Sequence, residues 1–270
     1  MIQALSDIIS YPFLTRALIV GILISVCAAL LGVSLVLKRY SMIGDGLSHV
    51  GFGAMAIATV AGMAPLALAI PVCVITAFLL LRISETSKMG GDAGIAIVSS
   101  GALAIGVMAV SMSTGVNTDI YNYMFGSILA INKTDMILCI ILSVVVIAVY
   151  LLFYNRIFAV TFDDTFAKAT GIRTNLYNMI LAVLTAVTVV LGMRMMGALL
   201  ISSLIIFPSM TAMKLTGTYK RVIVLSAIIS VICFVIGLVI SYWYEAPTGA
   251  SIVVVNIVLL VLASVVRRKS

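Results

Sequence analysis

Ala17-Leu-Ile-Val-Gly-Ile-Leu-Ile-Ser-Val-Cys-Ala-Ala-Leu-Leu-Gly-Val-Ser-Leu-Val-Leu37 contains no charged side chain. About twenty such residues are what an α-helix needs to cross the hydrocarbon core of a bilayer. Val222 to Ile240 is a second run of the same kind. Across the chain 63% of residues are hydrophobic and 9% charged, at a mean hydropathy of +1.30. A soluble domain of ordinary composition is about a quarter charged, so this chain has too little charge to face water all round. Inside lipid every backbone N–H and C=O must be satisfied internally, which leaves helical bundles and closed barrels. Barrel strands alternate apolar and polar residues over about ten positions, and the continuous runs here do not. The expected fold is therefore all-α: a polytopic membrane bundle forming one transmembrane domain over residues 1–270.

Apolar runs predict about nine spans, near 13–37, 43–62, 65–81, 94–113, 135–155, 176–193, 196–213, 221–240 and 250–266. The third starts at Pro65 and contains Pro71. Residues 114–134 hold Asn117, Asp119, Asn122 and Lys133, too polar to span, and read as a re-entrant or surface helix. With nine spans, all but Arg16, Lys133 and Arg194 of the 16 basic residues fall on one side. Basic residues gather on the cytoplasmic side of short loops, so the N-terminus is expected outside and the C-terminus inside. The net charge of +7 is then an orientation signal, and no nucleic-acid partner is implied. Cys27, Cys73, Cys139 and Cys233 lie singly in apolar runs with no metal or redox spacing and are expected to be small buried hydrophobes. Met1 to Pro12 carry Asp7 and no basic n-region, unlike a cleaved signal peptide, and fit a short interfacial helix.

The chemistry concentrates in Lys38-Arg-Tyr-Ser-Met-Ile-Gly-Asp45-Gly-Leu-Ser-His49-Val-Gly-Phe-Gly53, which holds the only histidine. Asp45 and His49 are four residues apart, so a helix puts them on one face about 6 Å apart at Cβ. An aspartate at the centre of a spanning helix costs on the order of 3 kcal/mol and marks function by default. Carboxylate alone suits Mg²⁺ or Ca²⁺, whereas added imidazole shifts preference toward Mn²⁺, Fe²⁺ or Zn²⁺. Two ligands hold an ion weakly, as passage requires. Gly53 continues the same face and admits close approach of a helix or substrate. A second reading stands beside this one: Asp45 caps the start of its helix and His49 merely bonds a neighbour. Gly46-Leu-Ser48-His49-Val-Gly51 is not a nucleophile elbow, because its second glycine is one position late and adjacent residues point about 100° apart on a helix.

No phosphate-binding G-x-x-x-x-G-K-[ST] loop occurs, so ATP-driven work would need a separate ATPase chain. The largest polar stretch between spans, Thr161-Phe-Asp-Asp-Thr-Phe-Ala-Lys-Ala-Thr-Gly-Ile-Arg-Thr174, opens with Asp163 and Asp164 as candidate N-caps and stops at Gly171. Phe162, Phe166 and Ala169 or Thr170 share one apolar face. Such a helix fits a partner's groove or lies on the membrane surface.

Arg39-Tyr-Ser-Met-Ile-Gly-Asp45-Gly-Leu-Ser-His49 resembles the motif of permeases from zinc-, manganese- and iron-type ABC importers. So do Gly192-Met-Arg-Met-Met-Gly-Ala-Leu-Leu-Ile-Ser-Ser-Leu-Ile-Ile-Phe-Pro208-Ser-Met-Thr-Ala212 and Ala246-Pro-Thr-Gly-Ala250, so the likeness covers nearly the whole chain in order. It implies a multi-pass permease of a prokaryotic-type cytoplasmic membrane, working as a homodimer or close heterodimer. The implied partners are two cytoplasmic ATPase subunits and an extracytoplasmic metal-binding protein. It implies no permanent cofactor and no catalysis by this chain; the metal is cargo. The family's intramembrane Asp and His match Asp45 and His49, and its ATPase-coupling helix matches 162–172. There Ala167 and Gly171 fit the pattern of E-A-A followed three residues later by Gly, while Thr165 and Phe166 replace its Glu and first Ala. Pro208 is expected to kink its helix. Arg194 and Glu245, near outer span ends, read either as gate or docking residues or as solvated interfacial charges. Met193, Met195 and Met196 cluster as soft Cu(I) ligands would, though methionine is also ordinary filler. A rival from another class is a self-sufficient secondary carrier or channel using Asp45 as a relay. Carriers commonly show internal repeats and more intramembrane charge.

Overall fold

The computed structural model describes residues 12–86, 91–113 and 133–269, and every regular element among them is helical. In chain order these are α1 (Pro12–Leu37), α2 (Ser41–Val60), α3 (Pro65–Thr86), α4 (Gly91–Ser111), α5 (Lys133–Leu152), α6 (Tyr154–Phe162), α7 (Asp164–Ala169), α8 (Thr174–Met196), α9 (Ala198–Leu215), α10 (Tyr219–Tyr244) and α11 (Thr248–Lys269). Eight of these helices are long and apolar enough to cross a membrane. Nine spans were expected; the helix over the expected second span, α2, is not among the eight. That helix has 20 residues, but Asp45, His49 and four glycines leave it less apolar than the others. The same residues that make it chemically interesting lower its apolarity.

Burial sorts the helices. In α1 and α8, 72% of the best apolar window is buried inside the bundle, against 22% in α4, α5 and α11. A helix apolar all round can occupy the centre of a membrane bundle, and α1 and α8 do so. Around them, α2 packs against α3, α4, α8 and α9, while α9, α10 and α11 pack on one another. All four cysteines are free and buried, as their placement in apolar runs suggests.

Small residues set the closest approach. A Cβ on Gly53 would lie 2.5 Å from the Ala102 carbonyl oxygen, and one on Gly106 would lie 2.7 Å from the Gly53 Cα. Backbone meets backbone here, so α2 and α4 are in contact along a glycine seam of the kind that lets membrane helices pack without large side chains.

Several expected boundaries move. The third span runs on to Thr86 with Pro71 inside it; Pro65 occupies the first helical position, where its missing N–H costs nothing. The fifth begins at Lys133 and ends at Leu152, because the chain turns at Phe153 and restarts as α6. Lys133, grouped by sequence with a polar connection, is thus the first residue of a spanning helix. The expected interfacial segment before Pro12, Lys88, and Asn117, Asp119 and Asn122 of the polar segment lie outside the described residues.

Candidate functional site

Asp45 and His49 project from α2 into one space. Asp45 Oδ2 and His49 Nε2 are 3.7 Å apart, with the side chains 40% and 29% exposed. Two metal–ligand bonds of about 2.1 Å reach across at most about 4.2 Å, so one ion can touch both atoms without any change in the helix. Asp45 does not cap α2. The N-cap is Tyr40, no side chain caps the end, and the first turn holds no acidic residue. Next to Asp45, a Cβ on Gly44 would lie 3.1 Å from the Ile205 side chain, near the middle of α9, so this turn of α2 packs against α9.

The two groups line a cavity of about 260 Å³ together with Ser48, Phe52, Leu103, Ala198 and Leu199. Ser48 is already engaged, its hydroxyl donating to the Asp45 backbone carbonyl at 2.7 Å, a back-bond typical of serine within helices. The remaining walls are apolar. Ala198 and Leu199 open α9 directly after Gly197, whose φ of 90° lets α8 and α9 join through a single residue. Those wall residues, with Leu103, were not legible as site residues in the sequence, because they reach the cavity through packing of α4 and α9 on α2. Among the described residues no three His, Cys, Asp or Glu side chains gather as a metal cage, so one chain offers two strong ligands here.

Residues 162–172 form two elements rather than one. Phe162 closes α6, the chain extends at Asp163 (φ −149°, ψ 100°), and α7 starts at Asp164. Asp163 is the N-cap: its carboxylate accepts from the Thr165 and Phe166 amides, both at 2.9 Å. Asp164 is not a cap but pairs with Lys168 at 2.6 Å. The helix ends in a Schellman arrangement, with Ile172 N–H donating to the Ala167 carbonyl and Gly171 N–H to that of Lys168; Gly171 takes the φ of +82° that this requires. The expected continuous face through Phe162 and Phe166 is therefore broken at Asp163. Ala167 instead points inward, fully buried in a small core with Val160 and Tyr177. Phe162 and Phe166 remain 62% and 64% exposed.

Arg194 differs from a solvated charge. Its guanidinium donates to Asp135 Oδ2 at 3.0 Å, with both side chains about four-fifths buried. The arginine closes α8 and the aspartate opens α5, each at the helix end whose dipole favours it. Sequence gave no sign of this partner, 59 residues away. Removing either charge strands the other in a partly dry place, a loss of about 1–3 kcal/mol. Arg194→Ala and Asp135→Asn are each expected to lower the melting temperature in detergent by several degrees. In a double-mutant cycle the two losses should be far from additive; additive losses would show that the pair does not tether α5 to α8. Glu245 is exposed, in a left-handed conformation (φ 51°) that ends α10.

Two of the three motif stretches that sequence picks out thus meet in space: α2 supplies Asp45 and His49, and the Gly192–Ala212 stretch supplies the α8–α9 turn and a cavity wall. A family model described as the ABC 3 transport family matches residues 10–267. This chain belongs to that family. Among its relatives, the manganese transport system membrane protein MntC of Halalkalibacterium halodurans is 30% identical over 257 residues, covering 95% of this chain and 88% of that one. The high-affinity zinc uptake system membrane protein ZnuB of Haemophilus influenzae is 30% identical over 253 residues, 94% of this chain and 97% of its own. A chain of PsaBC from Streptococcus pneumoniae, solved in complex with Fab, superposes with a TM-score of 0.87 at 28% identity, over 97% of this chain and 95% of that one. The ABC 3 family fold is thus matched across nearly its whole length.

Proposed function

We infer that this chain is the membrane-spanning subunit of an ATP-driven importer that moves a divalent transition metal, manganese, zinc or iron, across a prokaryotic cytoplasmic membrane. The observation that carries the cargo site is the Asp45–His49 pair, 3.7 Å apart on one helix face and opening into an otherwise apolar cavity. A carboxylate and an imidazole select borderline transition metals over hard ions. Because each chain brings two ligands, a second permease copy contributing the same pair completes the coordination, and the ion is held only in passing.

Nine spans, α2 included, put the ends of α1, α3, α5, α9 and α11 and the starts of α8 and α10 on the cytoplasmic side with their basic residues. Contacts among the ends of α1 and α5 and the starts of α8 and α10 support one shared end of the bundle. There α7 receives one of two cytoplasmic ATPase subunits. A short helix capped at both ends, seated on its own small core and showing Phe162 and Phe166 to the outside, has the rigidity such docking needs. Arg194 and Glu245 sit toward the opposite face, where an extracytoplasmic metal-binding protein delivers the ion.

Reconstituted vesicles test this reading. With the ATPase and binding protein present, uptake of Mn²⁺, Zn²⁺ or Fe²⁺ should require ATP; ATP-independent uptake by this chain alone would favour the self-sufficient carrier or channel. Replacing residues 162–172 with a Gly/Ser linker, or Phe166→Asp, should weaken ATPase capture about thirty-fold, as loss of a buried aromatic anchor does. Undiminished capture would remove α7 from the docking role.

A further inference from the structure

We propose that Lys38 and Tyr219 are positioning residues of the transport cycle: they clasp α6 from two sides and deliver the ATPase stroke to the corner that carries the cargo helix. The proposal rests on the docking role of α7 and extends it to a path through the bundle.

On one side the ring of Tyr219, the first residue of α10, receives three aromatic rings from a single face of α6. Tyr154, Phe158 and Phe162 lie at i, i+4 and i+8, with centroids 5.7, 4.9 and 6.0 Å from it. The Tyr219 hydroxyl is in turn one corner of a closed triangle: it is 3.0 Å from Ser34 Oγ on α1 and 3.1 Å from the Tyr150 hydroxyl on α5, which are 3.2 Å from each other. Ser34 and Tyr150 are fully buried. Three hydroxyls in a ring satisfy one another without water, and a dry polar network of this kind fixes one relative arrangement of the elements that supply it. One side chain therefore couples α6 to α1 and α5.

On the other side, Lys38 Nζ donates to the Val160 carbonyl of α6 at 3.1 Å and to Asn178 Oδ1 of α8 at 2.6 Å. Lys38 is also where α1 becomes α2. The three residues between these helices form a tight corner, with Tyr40 N–H donating to the Leu35 carbonyl and Arg39 N–H to that of Val36. Arg39 holds a φ of 61°, and the Lys38 ammonium lies 5.8 Å from the Tyr40 ring centroid. Such a corner has little slack. Displacement of α7 moves α6, Lys38 registers it through Val160, and the corner passes it to Ser41 and onward to Asp45 one turn away. Packed interfaces of this kind switch between discrete arrangements rather than deforming smoothly.

The test uses the full chain in proteoliposomes with its ATPase and metal-binding protein, measuring three quantities: ATPase co-purification, ATP hydrolysis, and metal taken up per ATP. Lys38→Met and Tyr219→Phe should keep co-purification, retain at least half the parent hydrolysis, and lower uptake per ATP at least five-fold. Lys38→Arg, which preserves donors for both acceptors, should recover most of the ratio. Ser34→Ala, which breaks the triangle from α1 without touching a ring, should lower it in the same direction as Tyr219→Phe. A parent-like ratio in Lys38→Met and Tyr219→Phe overturns the proposal. So does a fall in uptake and hydrolysis together at constant ratio, or loss of co-purification, either of which indicates ordinary structural damage. Gly/Ser replacement of 162–172 run in parallel separates the two ideas: persistent ATPase binding there sinks the docking role of α7, whereas the ratio in the Lys38 and Tyr219 variants judges the clasp.

Discussion

Asp45→Ala and His49→Ala are each expected to cut ATP-driven metal uptake at least about a hundred-fold, to the background of empty vesicles. Losing even an outer-shell partner of a metal ligand typically costs 10–100-fold, and on the proposed cargo role each substitution removes a direct ligand from a pair. The remaining wall offers Phe52, Leu103, Ala198 and Leu199, none of which can replace it. Neither substitution should harm folding. Both side chains are partly exposed, and removing a carboxylate from a largely apolar bundle relieves a desolvation cost. Expression and ATPase co-purification should therefore match the parent. Ser48→Ala is the internal control. Its hydroxyl faces the same cavity, but its proton is committed to the Asp45 carbonyl, so uptake should stay within about two-fold, as expected for a group outside the ligand set. Normal uptake in both the Asp45 and His49 variants, measured with radioactive manganese or zinc, would sink the site.

Gly53→Ala has the second largest expected effect, through packing alone. The new methyl would meet the Ala102 carbonyl oxygen at 2.5 Å and its carbon at 3.2 Å. Backbone cannot rotate out of the way as a side chain can, so α2 and α4 must separate. Overpacking of this kind costs about 1–3 kcal/mol. The displacement occurs one turn from His49, so uptake should fall along with thermal stability. Gly101→Ala, one residue from the same contact on α4, meets nothing within 4 Å and should leave both unchanged. Equal tolerance of the two substitutions, read by melting temperature in detergent, would show that the seam is not a close contact.

The two helices in that contact also show what the sequence reveals and what it hides. Fold class follows from the solvent: charge too sparse for water and apolar runs of spanning length leave only a helical bundle. The Asp45–His49 pairing was equally legible, because i, i+4 geometry is local and needs no knowledge of neighbours. What closes the site is not local. Leu103 and Ala198 reach the cavity only once α4 and α9 have packed on α2, and Asp135 finds Arg194 across 59 residues. The polar stretch after α6 fails differently. Periodicity joins Phe162 to Phe166 smoothly, but Asp163 captures two amides with its own carboxylate and restarts the helix there. Side-chain competition for backbone groups of this kind leaves periodicity intact while breaking the element.

The apolar lining of the cavity bears on ions that the protein does not want. Beyond Asp45, His49 and the already committed Ser48, no wall residue offers a partner to a bound water. An ion held there exchanges part of its hydration shell for one carboxylate and one imidazole from each permease copy. Magnesium gives up water reluctantly and demands near-ideal octahedral oxygen ligation, neither of which this chamber supplies. On the proposed cargo role, the pair therefore disfavours the commonest cellular dication through donor type: half of its ligands are imidazole nitrogen, which manganese, iron and zinc accept and magnesium accepts poorly.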